Sequence, residues 1–175
     1  MYFFTYLLTL FLSFTLSSST IEEDLSKTLY TTNYIMSTYP HVSRELAFDG
    51  AVSIQKYSQQ YNIPQSLIMA VIHVESTFRP TVVSQEGACG LTQVCLRYKS
   101  GGNLWWEELN TVGILKEESD IFNVDRNIEA GCYILNHYIQ SSKDISEALY
   151  RYNGGGERYA GKVLDREKKI IGGLI

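Results

Sequence analysis

Apolar positions in this chain recur mostly at helical spacing, and the breaks between them mark its turns. From Glu45 to Tyr61 apolar and polar residues follow a helical period interrupted only by Gly50, and Asn62-Ile63-Pro64 ends one helix and opens the next. That next helix, about Pro64 to Ser76, places Ile68, Val71, Ile72 and Glu75 at i, i+3, i+4 and i+7, on one face. A carboxylate therefore ends an apolar stripe. His73 lies about 200° around the helix from Glu75, so the two do not form a pair. Pro80 and Ser84-Gln85-Glu86-Gly87 predict a loop, and Leu91–Tyr98 a short helix. Between residues 99 and 124 the period fades; Gly101-Gly102 and Trp105-Trp106 suggest a surface loop followed by short helical turns. A firm helix follows over Arg126–Gln140, with Ile128, Gly131, Leu135 and Tyr138 on one side. Asp144 and Glu147 have capping-box spacing before a helix with the stripe Ile145, Ala148, Leu149, Tyr152. Asn153-Gly154-Gly155-Gly156 stops it, and a last helical segment runs from about Tyr159 to Lys169. Upstream, Glu22, Glu23 and Asp24 suit a helix N-terminus in an extension that Pro40 separates from the main domain. The pattern predicts a mainly helical domain with few or no β-strands.

The charge distribution divides the chain again. All 15 Lys and Arg and all 19 Asp and Glu fall after Thr20, while Met1–Leu16 is an apolar run followed by Ser17-Ser18-Ser19-Thr20. This resembles a secretory signal, without the usual leading Lys or Arg; an uncleaved anchor is the alternative. The expected organisation is residues 1–20 as signal peptide or N-terminal anchor, 21–43 as an N-terminal extension and 44–175 as the catalytic domain. The protein is then exported, periplasmic or extracellular, with membrane attachment through residues 1–20 if the leader is kept. A net charge of −4 argues against nucleic acid as a partner. Cys89, Cys95 and Cys132 form an odd set with three conceivable pairings, and their spacing lacks the close pairs of zinc sites.

Glu75 is the candidate for chemistry. Its stripe points it toward apolar surroundings, and the helix C-terminus places it near the negative end of the macrodipole; both disfavour the charged form. A carboxyl still protonated near neutral pH is what general-acid catalysis requires. His73-Val74-Glu75 also has the His-x-Glu form of zinc deaminases, but the Pro-Cys-x-x-Cys that should accompany it is missing.

The surrounding residues carry a family pattern. Glu75-Ser76-Thr77-Phe78-Arg79-Pro80, then Ser84, then Gly87-Ala88-Cys89-Gly90-Leu91-Thr92-Gln93, resembles the signature of the soluble lytic transglycosylases of the lysozyme-like superfamily. That signature is an acid-Ser pair, an aromatic, a Pro, a Ser nine residues after the acid, and Gly-Ala-x-Gly-Leu-x-Gln. Asn127–Leu135 is similar to the family's central helix motif, and Ala148–Gly155 to its Ala-Tyr-Asn-Ala-Gly block, with Tyr159 and Val163-Leu164 after it. Thr92 replaces the more usual Met, Gly154 the common Ala, and Cys95-Leu96 a Met-Pro.

The resemblance implies a mainly α, lysozyme-like fold related to goose-type lysozyme, and cleavage of the MurNAc–GlcNAc β-1,4 bond of peptidoglycan without metal or cofactor. It implies Glu75 as the single acid/base and Ser84 as the contact to the substrate N-acetyl group. Gln93 would line the cleft, Tyr152 would hydrogen-bond near the acid, and Asn153 would touch substrate. The products would end in 1,6-anhydro-MurNAc. Fold alone does not fix the reaction, so a hydrolytic muramidase and a non-catalytic wall-binding or secretion-apparatus protein are the alternatives. Trp105 and Trp106 are either a sugar-stacking platform or packing.

Overall fold

The computed structural model describes residues 22–97 and 104–173. The leader, residues 1–20, lies outside the described residues. Helix α1 spans 22–38, α2 Arg44–Tyr61, α3 Gln65–Ser76, α4 Trp106–Thr111, α5 Val124–Gln140, α6 Ile145–Tyr152 and α7 Tyr159–Gly173. A two-stranded antiparallel hairpin, β1 Ala88–Cys89 with β2 Val94–Cys95, and a 3₁₀ turn at Glu118–Phe122 complete the described residues. The mainly α class is as the periodicity predicts.

Local chemistry explains the helix ends. Ser43 Oγ accepts from the Leu46 N–H at the start of α2, Asn123 Oδ1 from Arg126 at α5, and Asp144 Oδ1 from Glu147 at α6. Asn62 ends α2 in the left-handed region, where a short polar side chain is tolerated. One element differs from expectation. Of the helix expected over Leu91–Tyr98, the described part, 91–97, is not helical: residues 91–93 turn and Val94-Cys95 form β2. Gly90, at φ +78°, brings the chain around, and Gln93 follows in the left-handed region at φ +49°. Two such residues so close together do not sit in a right-handed helix.

The core has two parts that share α5. The larger gathers Ile35 of α1, Ala51, Ile54 and Tyr57 of α2, Ile68, Val71 and Ile72 of α3, and Val163 and Ile170 of α7. To it α5 contributes Ile128, Cys132 and Leu135. The smaller holds Val94, Leu96, Trp105, Leu109, Leu115 and Ile121, with Ala130 and Ile134 from a second face of α5. Each large side chain buried this way contributes about 1.5–3 kcal/mol. Tyr152 packs against both parts. The α2–α5 contact is further tied by Tyr57, whose single hydroxyl proton is shared between Asp125 Oδ2 and Glu129 Oε2 at 2.9 and 3.0 Å.

A buried node fixes the signature loop on α5. Asn127 is 1% exposed; its Oδ1 accepts from the Thr92 N–H at 2.8 Å, and its Nδ2 donates to the carbonyls of Cys89 and Ile121 at 3.0 and 2.8 Å. Opposite Thr92, α5 carries Gly131, where a Cβ would stand 2.5 Å from Thr92 Cβ. The loop rests so close to the helix that only a glycine fits beneath it.

Among the described residues no helix is long and apolar enough to cross a membrane. All three cysteines are free thiols. In the hairpin Cys89 opposes Val94 while Cys95 opposes Ala88, so successive-residue alternation turns the two thiols to opposite faces.

Candidate active site

Glu75 ends the apolar stripe of α3, as its spacing predicts, and the chain leaves that helix sharply. Thr77 and Phe78 both take positive φ, 49° and 60°, and Phe78 is driven fully into the core against Tyr39. Three of the four non-glycine residues with positive φ among those described, Thr77, Phe78 and Gln93, thus flank the acid or follow it in the signature loop. Such backbone costs on the order of 1 kcal/mol each and persists where packing imposes it.

The carboxyl of Glu75 stands between two recesses. One is a cleft of about 570 Å³ that also reaches Ser84, Glu86, Gln93, Trp105, Tyr138, Arg151, Tyr152 and Asn153. The other, about 790 Å³, lies toward Val74, Asn153, Gly156, Arg158, Tyr159 and Lys162. Burial raises the Glu75 pKa from its ordinary 4.5 to about 7, against the opposing pull of one hydrogen bond from Tyr159. The Tyr159 hydroxyl donates to Glu75 Oε1 at 2.5 Å. Its own pKa is pushed far up by burial and then by the neighbouring carboxylate, so it stays a donor throughout the working pH range.

The other expected residues fall around this centre with different duties. Ser84 Oγ accepts from the Glu86 and Ala88 N–H groups at 3.2 and 3.1 Å, which caps the loop turn. Those bonds occupy its lone pairs and leave the hydroxyl proton to be donated into the cleft. Gln93 Nε2 donates to the Val82 and Gly90 carbonyls at 3.1 and 2.9 Å, so both amide protons are used within the loop and Oε1 is the atom it can offer a ligand. Asn153 caps α6, is exposed, and borders both recesses.

Tyr152 lines the cleft but does not bond the acid: its hydroxyl donates to the Thr92 carbonyl at 2.8 Å. The phenol on Glu75 belongs to Tyr159. Periodicity gave no reason to choose it, because Tyr159 reaches α3 only after the Gly154–Gly156 turn folds α7 back along that helix. Its one sequence signal is its place in the motif block after the Tyr-Asn pair. Trp105 is 8% exposed and packs edge-on against His137 and Tyr138, so packing dominates there. Glu86 is exposed at the rim of the same cleft.

Comparison with known proteins gives this helical domain, with its half-buried protonatable glutamate, a family. The transglycosylase SLT domain family matches residues 52–171. The chain belongs to that family. Its relatives include the membrane-bound lytic murein transglycosylase C of Pectobacterium atrosepticum, 31% identical over 130 residues, which cover 67% of this chain and 34% of that protein. The protein of the same name from Sodalis glossinidius is 32% identical over 136 residues, 69% of this chain and 36% of its own length. The chain therefore spans about a third of the length of these curated relatives. Among solved structures, a complex of the 70-kDa soluble lytic transglycosylase with bulgecin A superposes with a TM-score of 0.53 at 21% identity, covering 83% of this chain and 25% of the other. The fold is thus the lysozyme-like one that the motifs imply.

Proposed function

We propose that this protein is a peptidoglycan lytic transglycosylase in which Glu75 acts alone as acid and base. The observation that carries the reading is the state of Glu75: a carboxyl held near pKa 7 by burial, oriented by Tyr159, with a recess on either side of it. A bond-cleaving acid needs sugar on both sides, and a pKa near the working pH balances donating a proton against taking one back.

In this reading Glu75 protonates the oxygen between MurNAc C1 and the next GlcNAc. The C1–O bond breaks as the substrate's own 2-acetamido group stabilises the positive charge at C1. Ser84 donates its free proton to the acetamide carbonyl, and Gln93 Oε1 accepts from a substrate hydroxyl or N–H. The C6 hydroxyl of the same MurNAc then attacks C1, and its proton passes to the Glu75 carboxylate. No water is consumed, so the product ends in 1,6-anhydro-MurNAc. Tyr159 holds the acid through both steps, while Tyr152 anchors the signature loop through Thr92. Residues 44–175 form the catalytic domain. Export with retention at the membrane through residues 1–20 is supported by the apolar leader and by the membrane-bound relatives.

One observation favours a second reading. Glu86 borders the same cleft, and a hydrolase would use such a second carboxylate as nucleophile or as base for water. The test is mass spectrometry of the fragments released from purified sacculi. Anhydro ends, lighter by one water than reducing ends, are expected; reducing ends as the main product, lost in Glu86→Gln, establish the muramidase instead.

A further inference from the structure

We infer that Arg151 is a carboxylate-recognition residue in the cleft, which selects acid-bearing glycan over neutral glycan. The inference rests on the reading of this cleft as a glycan-cleaving site. Arg151 directly precedes the Tyr152-Asn153 pair, and all three line the cleft. Among the described residues it is the one cation lining the cleft shared with Glu75, Ser84 and Gln93.

The side chain is fixed before any ligand arrives. Its guanidinium lies 4.9 Å from the centre of the Tyr138 ring. Nη1 donates to the Ser141 carbonyl and Ser141 Oγ, both at 2.9 Å, and to Ser142 Oγ at 3.3 Å. All three acceptors are neutral. No Asp or Glu pairs with Arg151 among the described residues, although Lys27, Lys56, Arg97 and Arg126 each have such a partner. Nη1 is thus committed to the turn between α5 and α6, which leaves the Nε and Nη2 edge without a hydrogen-bond partner among the described residues. Those two N–H groups are the parallel pair that engages one carboxylate side-on. A stacked, one-side-anchored guanidinium loses little further freedom on binding, which distinguishes it from a solvated surface arginine.

Peptidoglycan offers a carboxylate from two sources, both absent from a chitin oligomer: the lactyl group of MurNAc where the strand is bare, and the stem peptide where it is not. The experiment measures binding calorimetrically with the full chain carrying Glu75→Gln, so that nothing turns over. The ligands are a neutral GlcNAc tetramer, a bare MurNAc–GlcNAc tetrasaccharide and its peptide-substituted counterpart. An acid-bearing ligand should bind roughly tenfold tighter than the neutral tetramer, the effect of one charge-assisted pair. Arg151→Gln should bring that ratio to within about twofold of unity, and Arg151→Lys, which keeps charge but not the fork, should retain about a third of it. Preference for the bare strand assigns the lactyl carboxylate, and preference for the substituted strand assigns the stem. Equal binding of neutral and acidic ligands, or an Arg151→Gln loss shared equally by all three, overturns the inference and leaves Arg151 as a helix-end anchor. Failure of every glycan to bind overturns the functional reading itself, and this inference with it.

Discussion

Replacing Glu75 with Gln should cut activity steeply and stabilise the fold above neutral pH, two effects that follow from the same burial. Gln has the volume of a protonated Glu, and its Oε1 can still accept the Tyr159 hydroxyl. The Glu75 carboxyl titrates at about 7 in the folded chain and near its ordinary 4.5 when unfolded. Below 4.5 both states hold the proton, so wild type and variant should be equally stable. Between 4.5 and 7 the unfolded chain releases the proton while the folded one keeps it. Wild-type stability therefore falls as pH rises, and above 7 the deficit is full. That interval corresponds to about 3 kcal/mol, or roughly 6–12 °C in melting temperature for a chain of this size. The assay is thermal unfolding of both proteins from pH 4 to 9, with muropeptide release measured in parallel. Turnover in the variant should drop by about 10²–10⁴. Two parallel melting curves across the whole pH range would show that Glu75 is not desolvated, and the basis for its acid role would go with it. Wild-type release of fragments by the variant would sink the assignment directly.

Other consequences are as sharp. Wild-type kcat/KM should fall as pH rises through about 7, because the proposed cleavage needs protonated Glu75. Tyr159→Phe removes the hydrogen bond that lowers the Glu75 pKa, so this alkaline limb should move to higher pH while activity drops on the order of tenfold from lost positioning. An unmoved limb would detach Tyr159 from the acid. Asn127→Ala strands the Thr92 N–H and the Cys89 and Ile121 carbonyls; denaturant unfolding should show a loss of about 3 kcal/mol or more. Gly131→Ala forces a methyl against Thr92 and should lower stability by about 1–3 kcal/mol, with fragment release reduced as well because the signature loop is displaced.

Most helices of this fold could be read from period alone. The α3 stripe Ile68-Val71-Ile72 lands in the core, and Glu75 ends it at the rim of the cleft, because spacing of three and four residues sets helix faces whatever packs against them. The Ser84 turn was legible for the same reason: its hydroxyl caps the two N–H groups that follow it within four residues. Local rules misread 91–97, where the apolar content suits a helix but positive φ at Gly90 and Gln93 folds a hairpin; that geometry is stabilised by Asn127, about thirty-five residues away. No pattern of neighbours shows which of two tyrosines meets the acid. Tyr152 and Tyr159 lie seven residues apart across a glycine turn, and only the return of α7 onto α3 puts the second on Glu75 and leaves the first on the Thr92 carbonyl. The sequence by itself determined the candidate acid, most of the helices and the Ser84 turn, since these depend on neighbours along the chain. Tertiary structure decided the hydrogen-bond donor on that carboxyl, its pKa near 7 and the cation in the same cleft, because desolvation and hydrogen bonding act between segments that only folding brings together.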